Sequence, residues 1–420
     1  MQVWRLITRM FRKLLTLEMA QKAISSLKLA PLGTEEAPLL TAHNRVLAED
    51  VTSSLDIPPF DRSTVDGYAV KAADTFGAEE NQPVQLSVGG VVNIGELPKV
   101  SVSKGEAAEI VTGAPIPEGA DAIVMVEDTE RTDDELRVFS PVTEGENVMK
   151  KGSDIKKGET VLKVGQALSS REIGVLAALG AANVKVHVVP RVAVLSTGGE
   201  VTEPGSVLPP GKIYDINAYS LCAAVLESGG KPVYMGVAPD ETAKMREALV
   251  KALEIADMVV TSGGVSVGPK DITPQTVDSL GEPGLIFSGI AVKPGKPTTM
   301  ALIGRKPVFA LPGHPTSALL MFQLLVRPVI WRLAGMVRGE GSTVKAVAGR
   351  RMFSAKGRRT FVMVTLRKDK IGLVAETVET SASGAITTLA KADGYIEIPE
   401  NQQFVDKDEQ VEVTLFRNLA

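Results

Sequence analysis

Between residues 191 and 333 the apolar pattern switches repeatedly between short strand-like runs and longer stretches at helical spacing. Residues 191–195, 233–237, 258–261 and 309–311 are compact aliphatic or aromatic runs; 216–228, 240–256, 273–280 and 318–333 read as helices. Within 240–256, Met245, Ala248, Leu249, Ala252, Leu253 and Ala256 recur on one helical face. Strand–helix alternation of this kind predicts a mostly parallel, doubly wound sheet with helices on both faces, whose ligands sit at the C-terminal ends of the strands. Two glycine turns, Ser196-Thr-Gly-Gly199 and the loop within Thr261-Ser-Gly-Gly-Val-Ser-Val-Gly268, fall at such ends.

The flanking segments have other periods. Residues 14–30 read as a helix with Leu17, Ala20, Ile24 and Leu27 on one face, and residues 46–60 as an extended segment ending at Ile57-Pro-Pro-Phe60, which cannot be helical. From 84 to about 164, short alternating runs such as 88–94, 107–112 and 122–126 are split by Gly, Pro and Asp, which predicts a compact β-rich region. Residues 170–179 form a helix that returns the chain. Beyond 334 the runs 344–348, 360–366, 373–376, 394–398 and 411–415 are strand-like, and a small β-barrel or sandwich is expected. At 420 residues the chain is too long for one core.

Composition narrows the partners. Aromatic residues make up 4%, too few for a base-stacking surface, and the net charge of -4 gives no global attraction for nucleic acid or anionic membrane. One cysteine, Cys222, excludes a disulfide framework and a cysteine zinc site; His43, His187 and His314 lie far apart without metal-ligand spacing. No apolar run approaches membrane-spanning length, and Arg5, Arg9, Arg12 and Lys13 interrupt any leader-like core near the N-terminus. A cytoplasmic protein with no nucleic-acid or membrane partner is expected.

Several runs carry chemistry. The loop Ser262-Gly-Gly-Val-Ser-Val-Gly268 lets backbone N–H groups converge on an oxyanion, and it matches neither a Walker loop nor a dinucleotide fingerprint. Lys293-Pro-Gly-Lys296 holds two ammonium groups on one tight turn, which favours an anion between them or solvation. Leu311-Pro-Gly-His-Pro-Thr-Ser-Ala318 marks a strand-to-helix junction that aims free helix N–H groups at a ligand. Asp66, Asp154, Glu200, Asp215, Asp240 and Asp271 are the candidate carboxylates; each has a structural alternative as a cap or turn residue, and their number near anion loops points to magnesium.

Together these runs resemble the molybdopterin molybdenumtransferases, called MoeA in bacteria and the E-domain in gephyrin. The resemblance runs through Asp61-Arg-Ser-Thr-Val-Asp-Gly-Tyr-Ala-Val70, Val111-Thr-Gly-Ala-Pro-Ile-Pro-Glu-Gly-Ala-Asp121, Gly152-Ser-Asp154, Val192-Ala-Val-Leu-Ser-Thr-Gly-Gly-Glu200, Ile213-Tyr-Asp-Ile-Asn217, the 261–268 loop, Lys293-Pro-Gly-Lys-Pro297, the 311–318 junction and Ala390-Lys-Ala-Asp-Gly394. These occur in family order from about residue 14 to the C-terminus.

The resemblance implies a multidomain α/β plus β fold. Domain I is helical and extended and discontinuous, from 1–60 and 151–187; domain II is β-rich, 61–150; domain III is the doubly wound, molybdopterin-binding unit of MoaB/MogA type, 188–334; domain IV is a C-terminal β-barrel, 335–420. It implies a homodimer with a cleft shared between subunits and contact with the molybdopterin adenylyltransferase. The implied reaction inserts molybdate or tungstate into adenylylated molybdopterin, with Mg2+-dependent release of AMP; the alternative is a non-catalytic molybdopterin-binding scaffold or carrier.

By motif, the resemblance assigns catalysis to Asp66, Asp154, Glu200, Asp240, Asp271, Lys293 and Lys296, with Glu200, Asp240 and Asp271 on the metal. It assigns substrate binding to Thr112, Ser196, Thr197, Gly198, Asp215, Ser262, Gly263, Gly264, Ser266, Gly268, Pro312, Gly313, Ser317, Arg359 and Ser383. Three positions depart from the family pattern: Gly199 stands where an Asp is common, His314 where an Asn is frequent, and Gly289 where some members carry a lysine.

Overall fold

The computed structural model describes residues 14–264, 272–337, 342–370, 372–378 and 385–416. Its central sheet runs in the order Lys231–Ala238, Arg191–Thr197, Met258–Ser262, Lys306–Leu311, Thr299–Ile303, Pro283–Ser288. The first four strands are parallel, as the alternation predicts. The last two are antiparallel, an edge addition that the helix–strand pattern did not announce. From Arg191–Thr197 the chain crosses by the Asn217–Glu227 helix to one side, then by the Thr242–Ile255 helix back to Met258–Ser262 on the other. Strand order therefore reverses between Arg191–Thr197 and Met258–Ser262, the point beyond whose C-terminal strand ends a doubly wound sheet forms its ligand crevice.

Two apolar layers hold this sheet. Leu195, Met245, Leu249, Val259 and Val308 pack on one face; Val194, Leu221, Val260, Phe309 and Leu325 pack on the other. Each large side chain excluded from water contributes about 1.5–3 kcal/mol. The expected 318–333 helix starts earlier, at Pro315, and is continuous to Leu333 with a π-helical turn at Phe322–Val326. It corrects one expectation: its 19 residues have the length and mean hydropathy, 1.2, of a membrane span. Its apolar face, including Leu320, Phe322, Val326 and Ile330, is buried in the sheet core, which accounts for that composition.

Three short antiparallel pairings stitch the chain on either side of the β-rich region: Thr34–Pro38 with Asn183–His187, Val51–Thr52 with Thr160–Leu162, and Arg62–Ser63 with Val148–Met149. Leu47, Leu162, Leu168, Leu176 and Val186 form the core between them. The Ser170–Ala178 helix opens with a capping box, Ser169 and Glu172 satisfying each other's backbone N–H groups. Between these stitches lies a six-stranded sheet in the order Ala122–Met125, Gly67–Val70, Glu106–Ile110, Val84–Val92, Glu135–Val138, Thr129–Thr132.

At the C-terminal end, Arg359–Asp369, Gly372–Thr377, Thr343–Ala348, Gln410–Leu415 and Gly394–Ile398 pair in that order, and the last pairs with the first, closing a five-stranded barrel. The short strand Val292–Lys293 lies parallel to Arg359–Thr360 outside the closure. The N-terminal helix is shorter than the periodicity suggests, Leu17–Ser25, capped by Thr16. Its buried Leu17, Ala20 and Ile24 share one cluster with Ile290 and Val292 of the doubly wound unit and Phe361, Met363 and Tyr395 of the barrel.

Candidate active site

At the crevice, the ends of the two switch-point strands interlock. Thr197 donates from Oγ1 to the Ser262 carbonyl at 3.4 Å. A Cβ on Gly263 would lie 2.2 Å from the Thr197 carbonyl oxygen, and one on Gly264 would lie 2.7 Å from Thr197 Oγ1 and 2.9 Å from Thr273 Oγ1. Both glycines have positive φ, +93° and +61°. Only a residue without a side chain brings the loop this close to the neighbouring strand. Gly263→Ala is therefore expected to cost roughly 2 kcal/mol or more. Gly199, whose Cβ would meet nothing within 4 Å, serves as the control. Urea midpoints of Gly263→Ala and Gly199→Ala measure the difference; equal midpoints would refute the tight junction.

Around this loop the side chains converge. Ser262 Oγ donates to the Pro312 carbonyl at 3.0 Å, and Asn217 Nδ2 donates both to Ser262 Oγ at 2.9 Å and to the Gly313 carbonyl at 2.7 Å. Gly313 thus sits against Gly263, and the strand-to-helix junction joins the same crevice. Ser196 Oγ donates to Asp215 Oδ1 at 2.8 Å, which also accepts the Ala218 amide at 3.0 Å. Two buried acceptors there, Asp215 Oδ2 and Asn217 Oδ1, have no donor among the described residues. Asn217 is the hub that sequence reasoning missed, although it closes the Ile213–Asn217 run; an Asn at a helix start reads as a cap. Ser317 is buried in the first turn of the Pro315–Met321 helix, whose N-cap His314 makes no capping bond with its side chain.

The adjacent Gly198–Gly199 turn collects exposed charge. The Gly199 amide donates to Asp240 Oδ2 at 3.1 Å, the Glu200 carboxylate folds back beside Gly198, and Lys212 Nζ donates to the Gly199 carbonyl. Two of the three expected metal carboxylates thus meet at one turn; Asp271 lies outside the described residues, as do Ser266, Gly268 and Ser383. Among the described residues no group of three His, Cys, Asp or Glu side chains is set to hold a metal. Open space at Gly199, where a Cβ would meet nothing within 4 Å, would admit a side chain such as Asp. Cys222, on the helix that follows Asp215, packs at the core margin; burial, with the Asp215 carboxylate adding to it, pushes its thiol up to about 11, so it is protonated at neutral pH.

The lysine turn is built by close packing. Gly295, at φ +112°, lies so near Met321 that a Cβ would come within 2.7 Å of its sulfur. Gly289 packs likewise on Leu14, 2.7 Å from where a Cβ would be, so a side chain there would displace the N-terminal segment. Lys293 is exposed and Lys296 half-buried, and neither has a side-chain partner among the described residues.

Asp66, Thr112 and Asp154 lie elsewhere in the chain. Asp66 Oδ1 accepts the Thr112 amide at 2.6 Å and the Thr112 hydroxyl at 2.8 Å, and these bonds hold its carboxyl below the ordinary aspartate range. Its position follows from Gly67, where a Cβ would lie 2.0 Å from the Val124 carbonyl oxygen, so the strand beside Asp66 presses against its neighbour. Asp154 is exposed beside a turn that Asp61 braces, accepting the Lys151 amide at 2.8 Å and Lys150 Nζ at 3.0 Å. No hydrogen bond or ion pair among the described residues joins Asp66, Thr112 or Asp154 to the crevice within one chain.

Arg359, expected on the substrate, has its guanidinium beside three carboxylates, those of Glu18, of Glu397 at 2.9 Å and of Glu400 at 3.2 Å. Burial raises the Glu397 carboxyl, Arg359 opposes this, and repulsion from Glu18 and Glu400 adds to it. Each of the three guanidinium nitrogens thus faces a carboxylate, which commits most of the fork to protein partners.

The chain matches three families in sequence: MoeA N-terminal region (domain I and II) over residues 15–180, Probable molybdopterin binding domain over 193–332, and MoeA C-terminal region (domain IV) over 345–416. It is 35% identical over 383 residues to the molybdopterin molybdenumtransferase of Nostoc sp., covering 90% of this chain and 88% of that one. It is 36% identical over 380 residues to molybdopterin molybdenumtransferase 2 of Mycobacterium tuberculosis, covering 90% and 93%. A crystal structure of the molybdopterin biosynthesis MoeA protein from Pyrococcus horikoshii superposes with a TM-score of 0.80 at 45% identity, over 97% of this chain and 100% of that one.

Proposed function

The chain belongs to the molybdopterin molybdenumtransferase (MoeA) family and is a transferase of molybdenum cofactor biosynthesis, and on that premise we propose the reaction and the roles of its residues. The substrate is adenylylated molybdopterin, into whose dithiolene the enzyme inserts molybdate or tungstate while AMP leaves. The observation that carries this reading is the convergence at the switch point: the Ser262–Gly264 loop, Asn217, and the Pro312–Gly313 junction meet beside the turn that gathers Glu200 and Asp240.

The residues divide the work by charge. Close-packed glycines hold the loop against the neighbouring strand, where its backbone N–H groups suit an oxyanion of the substrate. Asp215 Oδ2 and Asn217 Oδ1, buried without donors among the described residues, suit the amino and ring N–H groups of a pterin. Lys293 and Lys296, without protein partners among the described residues, suit a tetrahedral dianion. Glu200 and Asp240, with Asp271, would hold magnesium; the Lys212 ammonium at the same turn marks it as a place that accepts positive charge. Bound magnesium would offset charge on the pyrophosphate of the adenylate.

Asp66, Thr112 and Asp154 are assigned to the cleft of a homodimer, facing the crevice of the other subunit, because no hydrogen bond or ion pair among the described residues links them to it within one chain. We assign the domains as I (1–60 and 151–187), II (61–150), III (188–334) and IV (335–420), the location as cytoplasmic, and the source of substrate as a molybdopterin adenylyltransferase in contact with the dimer. The test is AMP release by the purified protein from adenylylated molybdopterin with Mg2+. Release that rises with added molybdate or tungstate is expected; oxyanion-independent or absent release would overturn the assignment.

A further inference from the structure

We infer that Arg359 is a positioning residue for the lysine turn, acting as an ionic clasp between the N-terminal helix and the barrel; this rests on the transferase reading above. The turn is reached through residues 289–293, and that segment is gripped on both edges. On one edge Leu15 donates its amide to the Gly289 carbonyl at 3.3 Å and accepts the Ala291 amide at 2.7 Å. On the other, the Arg359 amide donates to the Ala291 carbonyl at 3.0 Å, and Val292–Lys293 lies in register with Arg359–Thr360.

The Arg359 side chain joins the two grips. Its Nη2 pairs with Glu18, in the first turn of the helix that Leu15 leads into, while Nη1 and Nε hold Glu397 and Glu400 on and after the barrel strand Gly394–Ile398. Beneath the clasp, Leu17, Val292 and Phe361 belong to one buried cluster. The far side of the turn is seated on Met321 through Gly295. One wall is therefore fixed by packing, and the opposite wall by the clasp.

Charge excludes the rival role. One guanidinium against three carboxylates leaves the cluster net negative, which repels an incoming dianion. A planar fork whose three nitrogens each face a carboxylate holds direction, so its loss lets both flanks of the segment shift. Displacement of a substrate-holding ammonium by a fraction of an ångström is enough to weaken capture.

The experiment uses the full-length enzyme with adenylylated molybdopterin, Mg2+ and molybdate. It compares wild type with Glu18→Gln, Arg359→Lys, Arg359→Ala, and Glu18→Gln combined with Arg359→Ala. Glu18→Gln keeps the arginine and removes a negative charge. Expected is a rise of about tenfold in the molybdate concentration for half-maximal AMP release, with the rate at saturating molybdate and the half-saturation for the pterin substrate changed by less than about twofold. Arg359→Lys is expected to fall between wild type and Arg359→Ala, and the combined variant to be no worse than Arg359→Ala.

An unchanged or improved molybdate response in Glu18→Gln would overturn the proposal and make Arg359 a direct anion ligand. A uniform loss across rate and both half-saturations would overturn it as general destabilisation. If Arg359→Ala does not fold, Glu18→Gln, on an exposed helix face, still decides. Wild type that fails to release AMP would sink the transferase reading instead, so the two failures are distinguishable.

Discussion

Asp66→Asn lowers oxyanion-dependent AMP release by about 100-fold or more while leaving the unfolding midpoint nearly unchanged. The expectation rests on how the side chain is held. Its two bonds come from the Thr112 amide and hydroxyl, both to Oδ1, and they keep the carboxyl ionised well below neutral pH. An amide oxygen can still accept from Thr112, so the loop stays closed, but the negative charge is gone. The residue is exposed, which removes any large contribution to stability. Turnover assays beside thermal melts check this. Full activity would remove Asp66 from the mechanism, and parallel loss of activity and stability would make it a structural brace.

Replacing both lysines, Lys293→Ala with Lys296→Ala, raises the molybdate requirement by about 100-fold and leaves the affinity for the pterin substrate within a few-fold of wild type. Two ammonium groups on one turn repel each other, and with no carboxylate paired to either among the described residues, a bound anion would relieve that repulsion. The turn itself does not depend on them, since Gly295 on Met321 and the pairing of Val292–Lys293 with Arg359–Thr360 hold the backbone. Wild-type molybdate dependence should weaken with added salt, and the double variant should lose that sensitivity. Equal losses for oxyanion and pterin would show that the lysines shape the pterin site instead.

Much of the fold was legible because burial imposes a period. The helix seen at Thr242–Ile255 followed from Met245, Leu249 and Ala252, each fully buried, and three of the four parallel strands followed from runs buried on both faces, the edge strand Lys231–Ala238 being only partly buried. The antiparallel edge, Pro283–Ser288 with Thr299–Ile303, was not legible. Its strands are short and separated by the glycine- and proline-rich lysine turn, which masks a strand period. Nor was the destination of the N-terminal helix legible: periodicity says which face of Leu17–Ser25 is apolar, not which core receives it.

The candidate site was legible where backbone geometry demands glycine, as at Gly263 and Gly264, and where charges crowd, as at Lys293 and Lys296. Asn217 and the Arg359 clasp were hidden for a different reason. Asn217 bridges to Ser262 and Gly313, 45 and 96 residues away, and Arg359 reaches Glu18 across most of the chain. Single-chain patterns carry no signal for contacts of that separation.

The central claim is that Asp66 of one subunit and the lysine turn of the other act on one substrate molecule. It is tested most directly by co-expressing two differently tagged chains, one with Asp66→Asn and one with Lys293→Ala and Lys296→Ala, and assaying AMP release by the mixed population. Each parent is nearly inactive, yet a mixed dimer would assemble one cleft from two unaltered halves. Random pairing then predicts recovery of roughly a quarter of wild-type activity. Activity no higher than that of the parents, in a sample where mixed dimers are isolated by their two tags, would contradict a cleft shared between subunits.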